Sequence, residues 1–407
     1  MLDWNEVFAT RSSRMRASEI RELLKLLDKP DIISFAGGIP DPALFPKDAF
    51  QQAYAEIFAG GQSTAALQYS VSEGYMPLRQ WLCDEMGRLG IDCGVDNIFI
   101  TSGSQQALDY LGKLFLSPGD TAIVTWPTYL GALQAFNAYE PTYDQLSFGN
   151  RTPESYRAAA EAAGGRVKFA YLSSDFSNPT GETVSLEERQ QVLSLATELD
   201  IAVIEDAAYQ HLRYDGTGMR SILALDIERA GSIEATRTIY CGSFSKTLAP
   251  GLRVGFVVAA TPVIRKLVLM KQAADLHSSS INQMAVATVA ERHFSAQVEK
   301  IRSIYSARRD AMLAALAVHM PPSTSWTRPD GGMFIWVTLP AGMDGATLLA
   351  RSIETEKVAF VPGQAFFADK SGANTLRLSF SCASEEMIAE GILRLGRLIA
   401  KASQKAA

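Results

Sequence analysis

The stretch Tyr240-Cys241-Gly242-Ser243-Phe244-Ser245-Lys246 places one lysine just past an apolar run, among small hydroxyl and glycine residues, with Arg253 seven residues on. Such a set can hold an aldehyde that carries a phosphate. A lysine amine condenses with an aldehyde to a Schiff base. Serine hydroxyls, backbone N–H groups and the planar fork of an arginine suit a phosphate dianion. A solvated Lys and Arg on a surface loop would look the same from this segment alone. Asp206 ends the apolar run at 201 to 205. A carboxylate there can pair with a protonated ring nitrogen, as a pyridine electron sink requires, or cap a helix that starts at Ala207. Asn178-Pro179-Thr180-Gly181 reads as a turn. Ser102-Gly103-Ser104-Gln105-Gln106 joins a strand to a helix, so its N–H groups face an anion site.

These residues need a frame. Short apolar runs at 97 to 101, 121 to 125, 167 to 172, 201 to 205, 238 to 241 and 254 to 259 predict strands. Amphipathic stretches such as 105 to 115 and 186 to 199 lie between several of them. This alternation predicts an α/β fold, a mostly parallel sheet with helices on both faces, and ligands at the carboxyl ends of its strands. A long helical region is expected at 262 to 319. After it, strands at 332 to 339, 358 to 360 and 375 to 380 and a helix at 384 to 400 suggest a smaller α+β domain, packed with the N-terminal segment. Near the N-terminus, Ile20, Leu23, Leu24 and Leu27 predict a helix over 16 to 28.

With 407 residues, the chain exceeds what one core holds, so two domains are expected. Hydrophobic residues make up 47% and charged residues 20%, the balance of an ordinary globular protein. A net charge of −6 argues against nucleic acid as a partner. Cys83, Cys93, Cys241 and Cys382 form no CxxC and no cluster with His. They are expected as buried small hydrophobes in a reducing cytoplasm, with neither disulfide nor metal site. No signal peptide and no membrane-spanning run is visible.

Taken together and in order, several blocks resemble the fold-type I, pyridoxal-phosphate-dependent aminotransferases, nearest the branch of 2-aminoadipate, kynurenine and aromatic aminotransferases. They are Ser34-Phe35-Ala36-Gly37-Gly38-Ile39-Pro40, Leu67-Gln68-Tyr69-Ser70, Glu73-Gly74-Tyr75, Ser177-Asn178-Pro179-Thr180-Gly181, Glu205-Asp206-Ala207-Ala208-Tyr209, Gly242-Ser243-Phe244-Ser245-Lys246 and Gly331-Gly332-Met333-Phe334. The resemblance runs nearly the full length. It implies a large domain at 46–290 built on a mostly parallel seven-stranded sheet. A small domain at 1–45 and 291–407 would include an N-terminal segment that covers the substrate. It also implies pyridoxal 5'-phosphate. Lys246 would form the aldimine and shuttle a proton between the substrate α-carbon and the cofactor. Asp206 would keep the ring nitrogen protonated. Tyr209 and Asn178 would bond the ring's 3-oxygen, and Tyr129 would stack on the ring. Ser104, Gln105, Ser243, Ser245 and Arg253 would bind the phosphate. Tyr69 would reach the phosphate of a neighbouring subunit, making the active unit a homodimer. Arg377, with Asn178 and Gly38, would bind the substrate's α-carboxylate end. Where the family usually carries Gln before Asn-Pro, this chain has Ser177.

The implied reaction is ping-pong transfer of an amino group from an L-2-amino acid to a 2-oxo acid such as 2-oxoglutarate. Ser18 and Arg21 match a block that binds the substrate's distal group in aminoadipate-using relatives. The expected donors are therefore 2-aminoadipate or glutamate together with aromatic or large aliphatic amino acids. Arg21 also reads as ordinary surface charge between Glu19 and Glu22. His277 is expected to be structural. The same scaffold could run β-elimination or decarboxylation. A non-enzymatic sensor is disfavoured, because its basic winged-helix module would have to precede blocks that already begin near residue 15.

Overall fold

The computed structural model describes residues 2–15 and 31–406, so the helix expected at 16 to 28, with Ser18 and Arg21, lies outside the described residues. Seven strands form one sheet: β1 (Ile98–Thr101), β2 (Thr121–Val124), β3 (Thr142–Gln145), β4 (Val167–Leu172), β5 (Ala202–Asp206), β6 (Thr238–Ser243) and β7 (Gly255–Val258). Their order is β1-β7-β6-β5-β4-β2-β3. All pairings are parallel except the two that β7 makes.

Alternation along the strands sends side chains to both faces of the sheet. Phe99, Val124, Phe169, Tyr171, Ile204, Cys241 and Val257 pack on one face. That face is covered by helices α1 (Ser104–Phe115), α2 (Leu130–Asn137) and α4 (Thr261–Gln272), with α3 (Leu186–Leu199) on the other. Ile123, Ala170, Leu172 and Val203 meet Val192, Leu193 and Ala196 of α3 there. Because strands covered on both sides are apolar throughout, six of the seven were legible as runs. β3 was not. It is the edge strand, and its Thr-Tyr-Asp-Gln sequence is buried nowhere along its length. A capping box starts α3: Ser185 Oγ accepts the Glu188 N–H at 3.2 Å, and Glu188 accepts the Ser185 N–H at 2.8 Å.

The helical region at 262 to 319 is two helices, α4 and the 40-residue α5 (Ser280–His319), separated by a loop at 273–279. Leu276 there has φ of 63°, a left-handed conformation that no continuous helix contains. Beyond α5, a second sheet contains β8 (Ser325–Trp326), β9 (Phe334–Thr338), β10 (Val361–Pro362) and β11 (Thr375–Ser379), in the antiparallel order β10-β11-β9-β8. Its core gathers Ile335, Val337, Leu376 and Leu378 with Met312 and Leu316 of α5 and Ile388, Ile392 and Leu395 of α6 (Glu385–Ala406). Ile33–Ser34 pairs in parallel with Val358–Ala359, tying the N-terminal segment to this part.

The cysteines depart from expectation. Cys241 is buried, Cys83 and Cys93 are half-buried, and Cys382 is exposed, its thiol donating to the Ile39 carbonyl at 3.3 Å. Cys382 follows β11 at the surface, where a buried-core role is not available.

Candidate active site

The carboxyl ends of β1, β4, β5 and β6 meet at one edge of the large sheet, and antiparallel β7 enters from that edge just after Arg253. There they line a cavity of about 500 Å³. Gly38, Ser104, Gln105, Tyr129, Asn178, Asp206, Tyr209, Ser243, Ser245, Lys246, Arg253 and Arg377 all face it. Of the predicted site residues that are described, Tyr69 is the one placed elsewhere. It is 78% exposed, with its ring edge-on to His277.

At the phosphate-like end, β1 turns at Gly103, with φ of 80°, and α1 begins at Ser104. A Cβ at Gly103 would stand 2.4 Å from Arg253 Nη2, so the bare glycine lets the guanidinium close on the helix start. Arg253 Nη2 donates to the Ser102 carbonyl at 3.3 Å. The first N–H groups of a helix have no partner within it and favour an anion.

At the centre, Lys246 Nζ donates to the Gly38 carbonyl at 2.9 Å and lies 5.7 Å from the Tyr209 ring centre. Burial, reinforced by the Arg377 charge, pushes the amine down to about 8. Asp206 is buried; its Oδ2 accepts from Tyr171 at 2.8 Å, while Oδ1 is buried with no hydrogen-bond partner. Burial raises the Asp206 carboxyl, opposed by the Tyr171 hydroxyl.

At the other end, Arg377 stands on β11 and is buried. It donates to Asn178 Oδ1 at 2.8 Å and to the Ala36 carbonyl at 2.9 Å, between the Phe334 and Phe366 rings. Among the described residues no carboxylate pairs with it, and burial lowers it to about 10. A buried cation of this kind is costly until an anion arrives.

Residues 31–395 match the family model for aminotransferase class I and II. The chain belongs to that family. It is 43% identical to a 2-aminoadipate transaminase from Thermus thermophilus over 98% of both chains. To an aromatic-amino-acid aminotransferase from Thermococcus litoralis it is 41% identical, over 99% of this chain and 96% of the other. The solved Thermus thermophilus alpha-aminoadipate aminotransferase, complexed with N-(5'-phosphopyridoxyl)-L-leucine, superimposes with a TM-score of 0.88. That pair is 41% identical, covering 99% of this chain and 100% of the other.

The enzyme is a pyridoxal-phosphate-dependent transaminase. Its cavity suits that cofactor. The orphaned Asp206 Oδ1 can accept from a ring N–H, the helix start and Arg253 offer donors to a phosphate, and Lys246 supplies an amine between them. Sequence reasoning missed Tyr171, which holds Asp206 from one strand over, and Gln134, Ile39 and Leu130 on the cavity wall. A hydroxyl among the apolar residues of β4 was the sole cue to Tyr171.

Among the described residues, no helix is long and apolar enough to cross a membrane.

Proposed function

We propose that the enzyme moves the amino group of 2-aminoadipate, glutamate, aromatic or large aliphatic amino acids to 2-oxoglutarate, with Arg377 receiving the α-carboxylate of both partners. The observation that carries this reading is the buried, carboxylate-free Arg377 guanidinium facing the same cavity as Lys246. Asn178 orients that guanidinium, and Gly38 leaves room beside it, since a Cβ there would meet the Phe334 ring at 3.2 Å. Ser104, Gln105, Ser243, Ser245 and Arg253 hold the phosphate. Asp206 holds the ring nitrogen, Tyr209 and Asn178 the ring oxygen, and Tyr129 covers one face. Bound pyridoxal phosphate supplies a carbonyl that exchanges amines and a ring that spreads negative charge. Lys246, its amine drawn towards neutrality, takes the substrate α-proton and returns it on the far side of the transfer. Amino and oxo acid use one site in turn, so the kinetics are ping-pong.

Donor breadth rests on the apolar wall of Ile39 and Leu130, and on the names of the relatives. Ser18 and Arg21 carry the distal-carboxylate part of the proposal from sequence alone. Exposed Leu67, Tyr69, Val71 and Met76 support a homodimer in which Tyr69 reaches the partner's phosphate site. The proposed domains are 46–290 and 1–45 with 291–407, their junction falling inside the continuous α5. Unpaired cysteines fit a cytoplasmic protein.

Kinetics with Arg377→Ala test the central assignment. The expected result is a loss of about 100-fold or more in kcat/KM for every amino acid, for one missing charge-assisted carboxylate contact. Unchanged kcat/KM contradicts it. Arg21→Ala is expected to weaken 2-aminoadipate far more than phenylalanine, and equal loss for both removes Arg21 from the proposal.

A further inference from the structure

Behind the helix start that faces the phosphate end lies a polar cluster with no role so far. Lys271, near the end of α4, has a fully buried side chain. Its Nζ donates to Gln106 Oε1 at 2.7 Å and to the two Asp275 oxygens at 3.0 and 3.2 Å. The same Gln106 Oε1 accepts the Ser102 N–H at 2.8 Å, and Gln106 Nε2 donates to Asp275 Oδ2 at 2.9 Å. Asp275 also accepts from Ser102 Oγ and from the Tyr110 hydroxyl, each at 3.3 Å. On its other side, the Ser102 carbonyl accepts from Arg253 Nη2. The Ser102 residue is therefore gripped from behind through N–H and hydroxyl, and from the cavity side through its carbonyl by the arginine.

Burying a lysine is expensive, and an apolar side chain would fill the same slot without the cost. Paired with Asp275, the ammonium contributes little net field at the cavity. What it fixes is geometry: Gln106 is held in the rotamer that sets the Ser102 peptide, one residue before the Gly103 turn and two before the first N–H of α1. We propose that Lys271, acting through Gln106, is a positioning residue for the cofactor's phosphate, holding the 102–105 turn and Arg253 in register. This rests on the reading that Ser104, Gln105 and Arg253 receive that phosphate.

The test is binding to the apoenzyme, followed by quenching of intrinsic fluorescence, with pyridoxal phosphate and with pyridoxal, which lacks the phosphate. Wild type is expected to bind pyridoxal phosphate far more tightly than pyridoxal. Lys271→Met is expected to lose about tenfold in affinity for pyridoxal phosphate, the scale of one hydrogen bond to a charged group, and less than twofold for pyridoxal. Asp275→Asn, at a part-exposed position that folding tolerates more readily, should shift the same ratio in the same direction. A general loosening of the site would weaken both ligands equally, and that result overturns the proposal. So does wild-type affinity in Lys271→Met. If Lys271→Met does not fold, an unchanged ratio in Asp275→Asn overturns it instead. Wild type that fails to distinguish the two ligands would overturn the phosphate reading itself, and the proposal with it.

Discussion

Lys246 has two cations for neighbours, Arg377 and Arg253, and one anion, Asp206, and burial strips its amine of part of its hydration. Desolvation wins, and the amine sits at about 8. Below that pH it is mostly protonated and inert as a nucleophile. The rate at which apoenzyme captures pyridoxal phosphate, read from growth of the visible band, should therefore rise through pH 7 and level just above pH 8. A rise continuing to pH 10 would show that the amine is not depressed. In the unfolded chain this lysine binds its proton up to a higher pH, so between about 8 and 10.5 its contribution makes folding more favourable as pH rises. Removing the Arg377 charge lets the amine rise, so Arg377→Ala should move the capture profile to higher pH. At Asp206, Tyr171→Phe removes the donor that offsets burial. It should lower kcat by about tenfold, the scale of one lost hydrogen bond to a carboxylate, with KM nearly unchanged; an equal change in KM would place Tyr171 outside the chemistry.

Elements fix these residues through buried polar joints as much as through apolar packing. Arg189 on α3 is fully buried and pairs with Asp175 at 3.0 Å, while donating to the carbonyls of Ser174, Val184 and Arg220. It pins the loop that carries Asn178 to the sheet. Arg189→Met should cost about 3 kcal/mol in denaturant unfolding, because three carbonyls lose their donor inside the protein and Asp175 is left with Arg213, at 3.1 Å; a loss under about 1 kcal/mol would mean that Arg213 suffices. This joint explains what the sequence made legible and what it hid. Apolar strands between helices announce themselves. The turn at Gly103 and the lysine loop were readable because their residue types have few other uses together. Polar β3 at an edge, the break at 273–279 and the Lys271 cluster were hidden. Each depends on partners distant in sequence, and a charged or polar residue carries no sign of the partner that will bury it.

At the scale of the whole molecule, α5 ties both sheets together: Met284 and Val286 pack with the large one, Met312 and Leu316 with the small one. Arg377 comes from the small sheet and Lys246 from the large, so the cavity is assembled only when both parts are in place. The exposed surface with Leu67 at 72% and Tyr69 at 78% predicts self-association. Sedimentation should give a dimer for the wild type and monomer for Leu67→Asp with Val71→Asp, with cofactor affinity falling alongside as the partner's Tyr69 is lost. A monomeric wild type that holds pyridoxal phosphate tightly would contradict the shared site. In the proposed ping-pong transfer, amino acid and oxo acid use one site in turn. The most direct measurement of this mixes holoenzyme with 2-aminoadipate in the absence of any oxo acid. One equivalent of the matching 2-oxo acid per subunit, loss of the visible band, and its return with release of glutamate on adding 2-oxoglutarate is the predicted result. Repeated turnover without an acceptor, releasing ammonia or carbon dioxide, would contradict it.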